Sequence, residues 1–207
     1  MGCDIHMYVE YKKSFRDSTT NQETEKWICG DYFKPNPYRD MWEDESKMDR
    51  LELYGHRNYH LFSTLAGVRD YSRQIVPISE PKGLPKDCCL FVKTENNKWD
   101  CDGHSHSWLT LKEIKDYQNT SPVLTLSGLL SPSDLIKLDE EGIFPNSWCQ
   151  GTTIEGYERR DWSEPNETLI PLIELMEKRA KELMQYDWQE YDISNDDKIR
   201  IIFWFDN

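Results

Sequence analysis

Two short stretches place carboxylates and imidazoles two residues apart. Asp4 and His6 stand in "GCDIH", and Asp102, His104 and His106 stand in "DGHSHS". On an extended strand, residues two apart project to the same side. Each stretch, if extended, presents a carboxylate together with one or two imidazoles. Such a set suits a divalent cation, Mn²⁺, Zn²⁺ or Mg²⁺, or a proton relay near neutral pH. A His-x-His bite beside an Asp also recurs in metal-assisted hydrolysis. On this reading Asp4, His6, His104 and His106 are metal ligands, and Asp102 and Asp206 are catalytic carboxylates. A blander account stands beside it. Asp4 caps or turns, and the histidines are satisfied polar residues, since motifs this short often match without function.

A third group is cationic and aromatic. Arg57, Asn58, Tyr59 and His60 open the stretch "RNYHLFSTLAGVRD", and Arg69 and Asp70 close it. Free N–H groups at a helix start favour anions, a guanidinium adds charge, and a ring offers a stacking face. Arg57, Tyr59 and Arg69 are therefore candidate binders of a phosphate or nucleobase, with the Ser105 hydroxyl as a further phosphate contact. The competing account pairs each Arg with a surface acid. Cys3 lies close enough to His6 for a nucleophilic pair, but nothing nearby marks it as activated.

The elements that must position these residues are partly visible. Residues 5–12 alternate and are rich in strand formers, which predicts a strand. Residues 14–25 read as a loop and "KWIC" at 26–29 as a returning strand. Residues 31–50 read as irregular. Asn58 caps a short helix that Gly67 ends. Residues 77–87 read as a Pro-rich loop, "LFVK" at 90–93 as a short strand, and 100–108 as a loop or strand end. Thr110 and Glu113 form a capping-box pattern for a helix over 111–117. Ser131 and Pro132 start another helix, ended by Gly142. Residues 168–186 carry an apolar stripe at helical spacing. An acidic linker follows. The final "KIRIIFWFDN" predicts a strand apolar on both faces, hence a central one. If it runs antiparallel to the first strand, Asp206 and Asn207 stand beside Asp4 and His6. The fold class expected is α+β. It is a single domain over 1–207, mainly an antiparallel sheet that includes both terminal strands. Several short helices, one long amphipathic helix and long loops complete it, with irregular insertions at about 13–56 and 143–165.

The bulk composition narrows the partners. The chain has 207 residues and a formal net charge of −13. Duplex nucleic-acid binders are normally basic, because phosphate neutralisation supplies most of their affinity. A small anionic or nucleotide-like ligand in a local basic pocket remains compatible, as does an acidic surface that inhibits a protein or imitates DNA. No segment reads as membrane-spanning, and the first residues do not read as a signal peptide. The six scattered Cys are expected to be reduced thiols in a cytosol. No phosphate-binding Gly-rich loop, dinucleotide fingerprint or nucleophile elbow occurs. No nicotinamide, flavin or haem cofactor is expected.

Taken together, "GCDIH", "RNYHLFSTLAGVRD", "KGLPKD", "DGHSHSWLTLKE" and "RIIFWFDN" resemble an uncharacterised family of small proteins encoded in phage and prophage genomes. The resemblance covers about half of the chain, at both ends and in several islands. It carries over no activity, cofactor or catalytic residue. It implies a bacterial host cytosol and an accessory, counter-defence role. Three readings follow. One is a metal-dependent hydrolase of a phosphoester or nucleotide. Another is a sponge that sequesters a nucleotide immune signal. The last is an acidic inhibitor of a host defence protein, or a DNA mimic, acting through surfaces such as 40–50 and 187–197. A homo-oligomer is compatible with each.

Overall fold

A computed structural model describes residues 2–35, 48–70, 75–121, 123–186 and 191–206. The expected α+β class, with a mainly antiparallel sheet holding both terminal strands, is what the fold has. Its four-stranded sheet runs in the order β2 (Glu23–Cys29), β1 (Asp4–Arg16), β8 (Ile199–Asp206), β5 (His104–Thr110). All three pairings are antiparallel. The first and last strands are thus adjacent and central, and Asp4 pairs with Asp206 in register.

Both faces of this sheet are covered. Ile5, Met7 and Val9 of β1 and Ile201, Phe203 and Phe205 of β8 point to one side. There they meet three helices: α1 (Tyr59–Ala66), α3 (Leu111–Thr120) and α5 (Ile170–Tyr186). Leu61, Phe62 and Leu65 come from α1, Ile114 from α3, and Leu172, Met176 and Ala180 from α5. On the other side Tyr8, Ile202 and Trp204 pack against Val92 of α2 (Leu90–Asn97) and against Cys88, two residues before it. Seven of the eight β8 residues are buried, as a strand apolar on both faces requires.

The helix ends follow local chemistry. Asn58 caps α1 by accepting from Leu61 N–H, and Gly67 closes it at φ 68°, a left-handed conformation that costs glycine little. Thr110 and Glu113 form the expected capping box at α3. Ser131 caps α4 (Pro132–Ile136), and a π-helical turn over Lys137–Glu141 runs on to Gly142 at φ 66°. Among the described residues no helix is long and apolar enough to cross a membrane.

Several expectations are corrected. Residues 90–93 are not a strand but the first turn of α2. The loop expected over 14–25 is shorter and covers 17–22, because β1 runs to Arg16 and β2 starts at Glu23. Within 31–50, β3 (Tyr32–Pro35) pairs with β4 (Met48–Leu51), and residues 36–47 lie outside the described residues. Residues 143–165 contain β7 (Glu158–Pro165), which pairs along its whole length with β6 (Val123–Leu130). This second, two-stranded sheet has a small core of its own, built on Leu124, Leu126, Leu130 and Trp162. The acidic linker is partly internal. Asp196, in a 3-10 helix over Ile193–Lys198, is only 2% exposed and binds Lys115 at 2.8 Å. Of the acidic surface proposed over 187–197, residues 187–190 lie outside the described residues, as do 40–47 of the other.

Candidate functional site

The antiparallel pairing of β1 with β8 brings Asp4, His6 and Asp206 together. Asp206 Oδ1 accepts Asp4 N–H at 3.0 Å, and its Oδ2 lies 3.3 Å from His6 Nε2. The His6 ring packs against Trp99, with centroids 3.8 Å apart. Asp4 is held from outside by Arg57, whose Nε and Nη2 donate to its two carboxylate oxygens at 2.6 and 2.8 Å. That fork lowers the Asp4 pKa and raises that of Arg57. Arg57 is thus a partner of Asp4 at an exposed position, as the surface-acid account has it.

The "DGHSHS" stretch does fold back onto the terminal strands, since His104 pairs with Phe205 and Ser107 with Phe203. Two residues of β5, Ser105 and His106, therefore face one of β8. This bulge carries Ser105 at φ 52°. Its consequence is large. With strict alternation His104 and His106 share a face. With the extra residue they part. His104 lies against Phe205, on the side of α1. His106 stacks on Trp204 and meets Asn96 at 2.7 Å, on the side of α2. The expectation that Asp102, His104 and His106 align is therefore corrected. Asp102 is exposed, in the turn before β5, where its N–H bonds Trp99 C=O. Ser105 Oγ lies 3.0 Å from His104 Nδ1, while His104 Nε2 is buried with no hydrogen-bond partner among the described residues. Burial lowers the His106 pKa, with a smaller contribution from His104. Among the described residues no three His, Cys, Asp or Glu side chains form a group that could hold a metal ion. The donors gathered here are committed to one another: Asp4 to Arg57, and Asp206 to His6 and the Asp4 amide. Cys3 is fully buried and burial raises its pKa, so it is not poised as a nucleophile. Asn207 lies outside the described residues.

Arg69 and Tyr59 sit differently. Both line a cavity of about 260 Å³ between α1 and the β6–β7 sheet, together with His60, Asp70, Trp148 and Gln150. A second cavity of about 300 Å³ shares His60 and Asn146 and extends past Phe144 to Glu164 and Glu167. Arg69 follows the α1 cap at φ 60°, a conformation uncommon for a residue with a long side chain. Its guanidinium also reaches the Cys3 thiol, so Arg69 stands between the cavity and the terminal strands. His60 is turned edge-on to Trp148 at 5.1 Å, and burial lowers its pKa. The cavity wall thus offers one cation, one acid, three ring side chains and amide groups. These are the means to hold an anionic group and a flat ring together.

Trp148, Asn146 and Gln150 were not singled out from the sequence. They come from the stretch with no assignable period, and Cys149 seats it by exchanging two backbone hydrogen bonds with Leu129. Gly128 makes the fit, because a Cβ there would lie 2.2 Å from Trp148 Cδ1. A lone glycine inside the strand-like run "VLTLSGLL" is the available signal. Set beside known proteins, the chain matches no family model, no curated protein and no solved structure.

Proposed function

We propose that the protein binds a small anionic, nucleotide-type ligand in the cavity lined by Tyr59, His60, Arg69 and Trp148. The observation that carries this reading is Arg69 set among three ring side chains at a cavity of about 260 Å³. That volume approaches the lower end for small-molecule sites, and the shared wall with the second cavity extends it. Arg69 supplies charge for a phosphate, and Tyr59 and Trp148 supply faces for a base. In the viral setting that the sequence resemblance implies, such a protein acts as a sponge for a nucleotide signal of host defence. The negative charge of the whole chain opposes long nucleic acids and leaves a local basic pocket free to act.

A hydrolytic reading draws on a different observation, the His6–Asp206 pair at 3.3 Å. Asp206 orients the imidazole, and His6 moves the proton. One experiment separates the two. The protein is incubated with nucleoside mono-, di- and cyclic phosphates, with Mg²⁺, Mn²⁺ or Zn²⁺ or with a chelator. It is then washed and heat-denatured, and the released nucleotide is identified by mass. Release of intact nucleotide supports sequestration. Cleaved product that disappears in His6→Gln supports hydrolysis. No nucleotide retained from the panel and no cleaved product in the wash contradicts both.

A further inference from the structure

Two cysteines far apart in sequence meet at the edge of the sheet. Cys29 ends β2 and Cys89 is the residue that precedes α2. Glu10 holds both. It is the register partner of Cys29 across the β1–β2 pair, and its Oε1 accepts Cys89 N–H. Glu10 is itself fixed, fully buried and bonded through Oε2 to Arg200. The interaction between the two side chains lowers the Cys89 pKa and raises that of Cys29, and burial and the Glu10 carboxylate oppose the fall at Cys89. The N-terminus of α2 adds its partial positive charge on the Cys89 side. Both residues are partly exposed, whereas the neighbouring Cys88 is buried.

We propose that Cys29 and Cys89 form a dithiol site that a low-molecular-weight disulfide oxidises to an intramolecular disulfide. The Cys89 thiolate attacks one sulfur of the reagent disulfide, and the first reagent thiolate leaves. The Cys29 thiol then gives up its proton, its sulfur attacks the Cys89 sulfur, and the second reagent thiolate leaves. Two protein thiols are oxidised and one reagent disulfide is reduced to two thiols. The new bond ties the end of β2 to the start of α2 and closes a loop through β3, β4 and α1.

The test uses the full chain in a Cys101→Ser background, because Cys101 is exposed and reacts on its own. Oxidised glutathione is added, the free thiols are counted, and the peptides are mapped without reduction. The expected result is loss of two thiols, a cross-link joining the peptides of Cys29 and Cys89, and a higher melting temperature. In Cys29→Ser, Cys89 is expected to stop as the glutathione adduct. A Cys88–Cys89 cross-link, or no cross-link when Cys89 carries glutathione in the otherwise unaltered protein, overturns the proposal. So does recovery of both thiols unreacted. Mapping without substitution at Cys29 or Cys89 keeps the test decisive even where a serine variant folds poorly.

Discussion

His104 and His106 are two residues apart on one strand and lie on opposite faces of the sheet. The residue between them, Ser105 at φ 52°, makes the difference. Left-handed conformation costs a non-glycine residue about 1 kcal/mol or more, and glycine far less. Ser105→Gly is therefore expected to keep or raise the melting temperature. Ser105→Val, β-branched at the same position, is expected to lower stability by about 1–2 kcal/mol. Denaturant unfolding of the two variants checks this. Equal stability of Gly and Val at 105 would speak against the bulge.

Arg69 adopts the same kind of backbone at φ 60° beside the proposed ligand cavity. Strain held at a binding residue is released when the residue is replaced by glycine. Arg69→Gly should leave the melting temperature within a few degrees of the starting value while weakening nucleotide binding at least tenfold. Thermal unfolding and calorimetry on the same sample separate the two effects.

Gly128 leaves the space on β6 that Trp148 occupies. Gly128→Ala must displace the indole, with an overpacking cost of about 1–3 kcal/mol. Both stability and ligand affinity should fall, and indole fluorescence should shift. Trp148→Phe should retain stability better than Gly128→Ala.

The Glu10–Arg200 pair crosses the sheet at 2.7–2.8 Å with both side chains buried. Arg200 also reaches Asp87 and lies over Trp27. Arg200→Met leaves a buried carboxylate uncompensated and should cost about 3–5 kcal/mol. Adding Glu10→Gln should recover part of that loss, since the amide oxygen still accepts Cys89 N–H. Urea unfolding of the single and double variants measures the coupling.

Asp31 is buried, and burial pushes its pKa up to about 6 despite the nearby Arg50 and Arg179. A folded pKa above the unfolded value means that the native state holds the proton more tightly. Asp31 therefore favours folding most below about pH 4, and that contribution is lost as pH rises through 6. A shift of about two units corresponds to roughly 2–3 kcal/mol. Asp31→Asn, which keeps an oxygen for Val9 N–H, should remove this fall between pH 4 and 6. Stability against pH for both proteins gives the comparison.

What the sequence disclosed follows physical lines. The alternation of Ile5, Met7 and Val9 and the two-faced apolarity of 199–205 are strong periodic signals, and they predicted adjacent terminal strands. Asp206 beside Asp4 and His6 came with them. Thr110, Glu113 and Gly67 announce helix ends through local hydrogen bonds, which tertiary packing did not override. "LFVK" misleads because four residues, with β-prone Phe91 and Val92 at the centre, are too short a window. Only Val92 of α2 is buried, so no helical stripe exists to correct the reading. In β2 and β7 most side chains are exposed, and the alternation that marks a half-buried strand is absent.

The cavity was half legible. Tyr59 and Arg69 stand out by their chemistry, and both line it. Arg57 stands out on the same grounds and instead pairs with Asp4. Chemical type alone does not separate these two arginines. The bulge at Ser105 left no mark either, because the left-handed residue is not a glycine. Trp148 reaches the cavity only through the pairing of Cys149 with Leu129, a contact that no local pattern encodes.

The central claim is that the Arg69–Trp148 cavity holds a nucleotide-type anion. Calorimetric titration of the protein and of Arg69→Gly with mono- and cyclic nucleotides tests it most directly. Saturable binding of one nucleotide per chain, weakened at least tenfold in Arg69→Gly, is the result predicted. No heat with any nucleotide, or equal affinity in the two proteins, would contradict it.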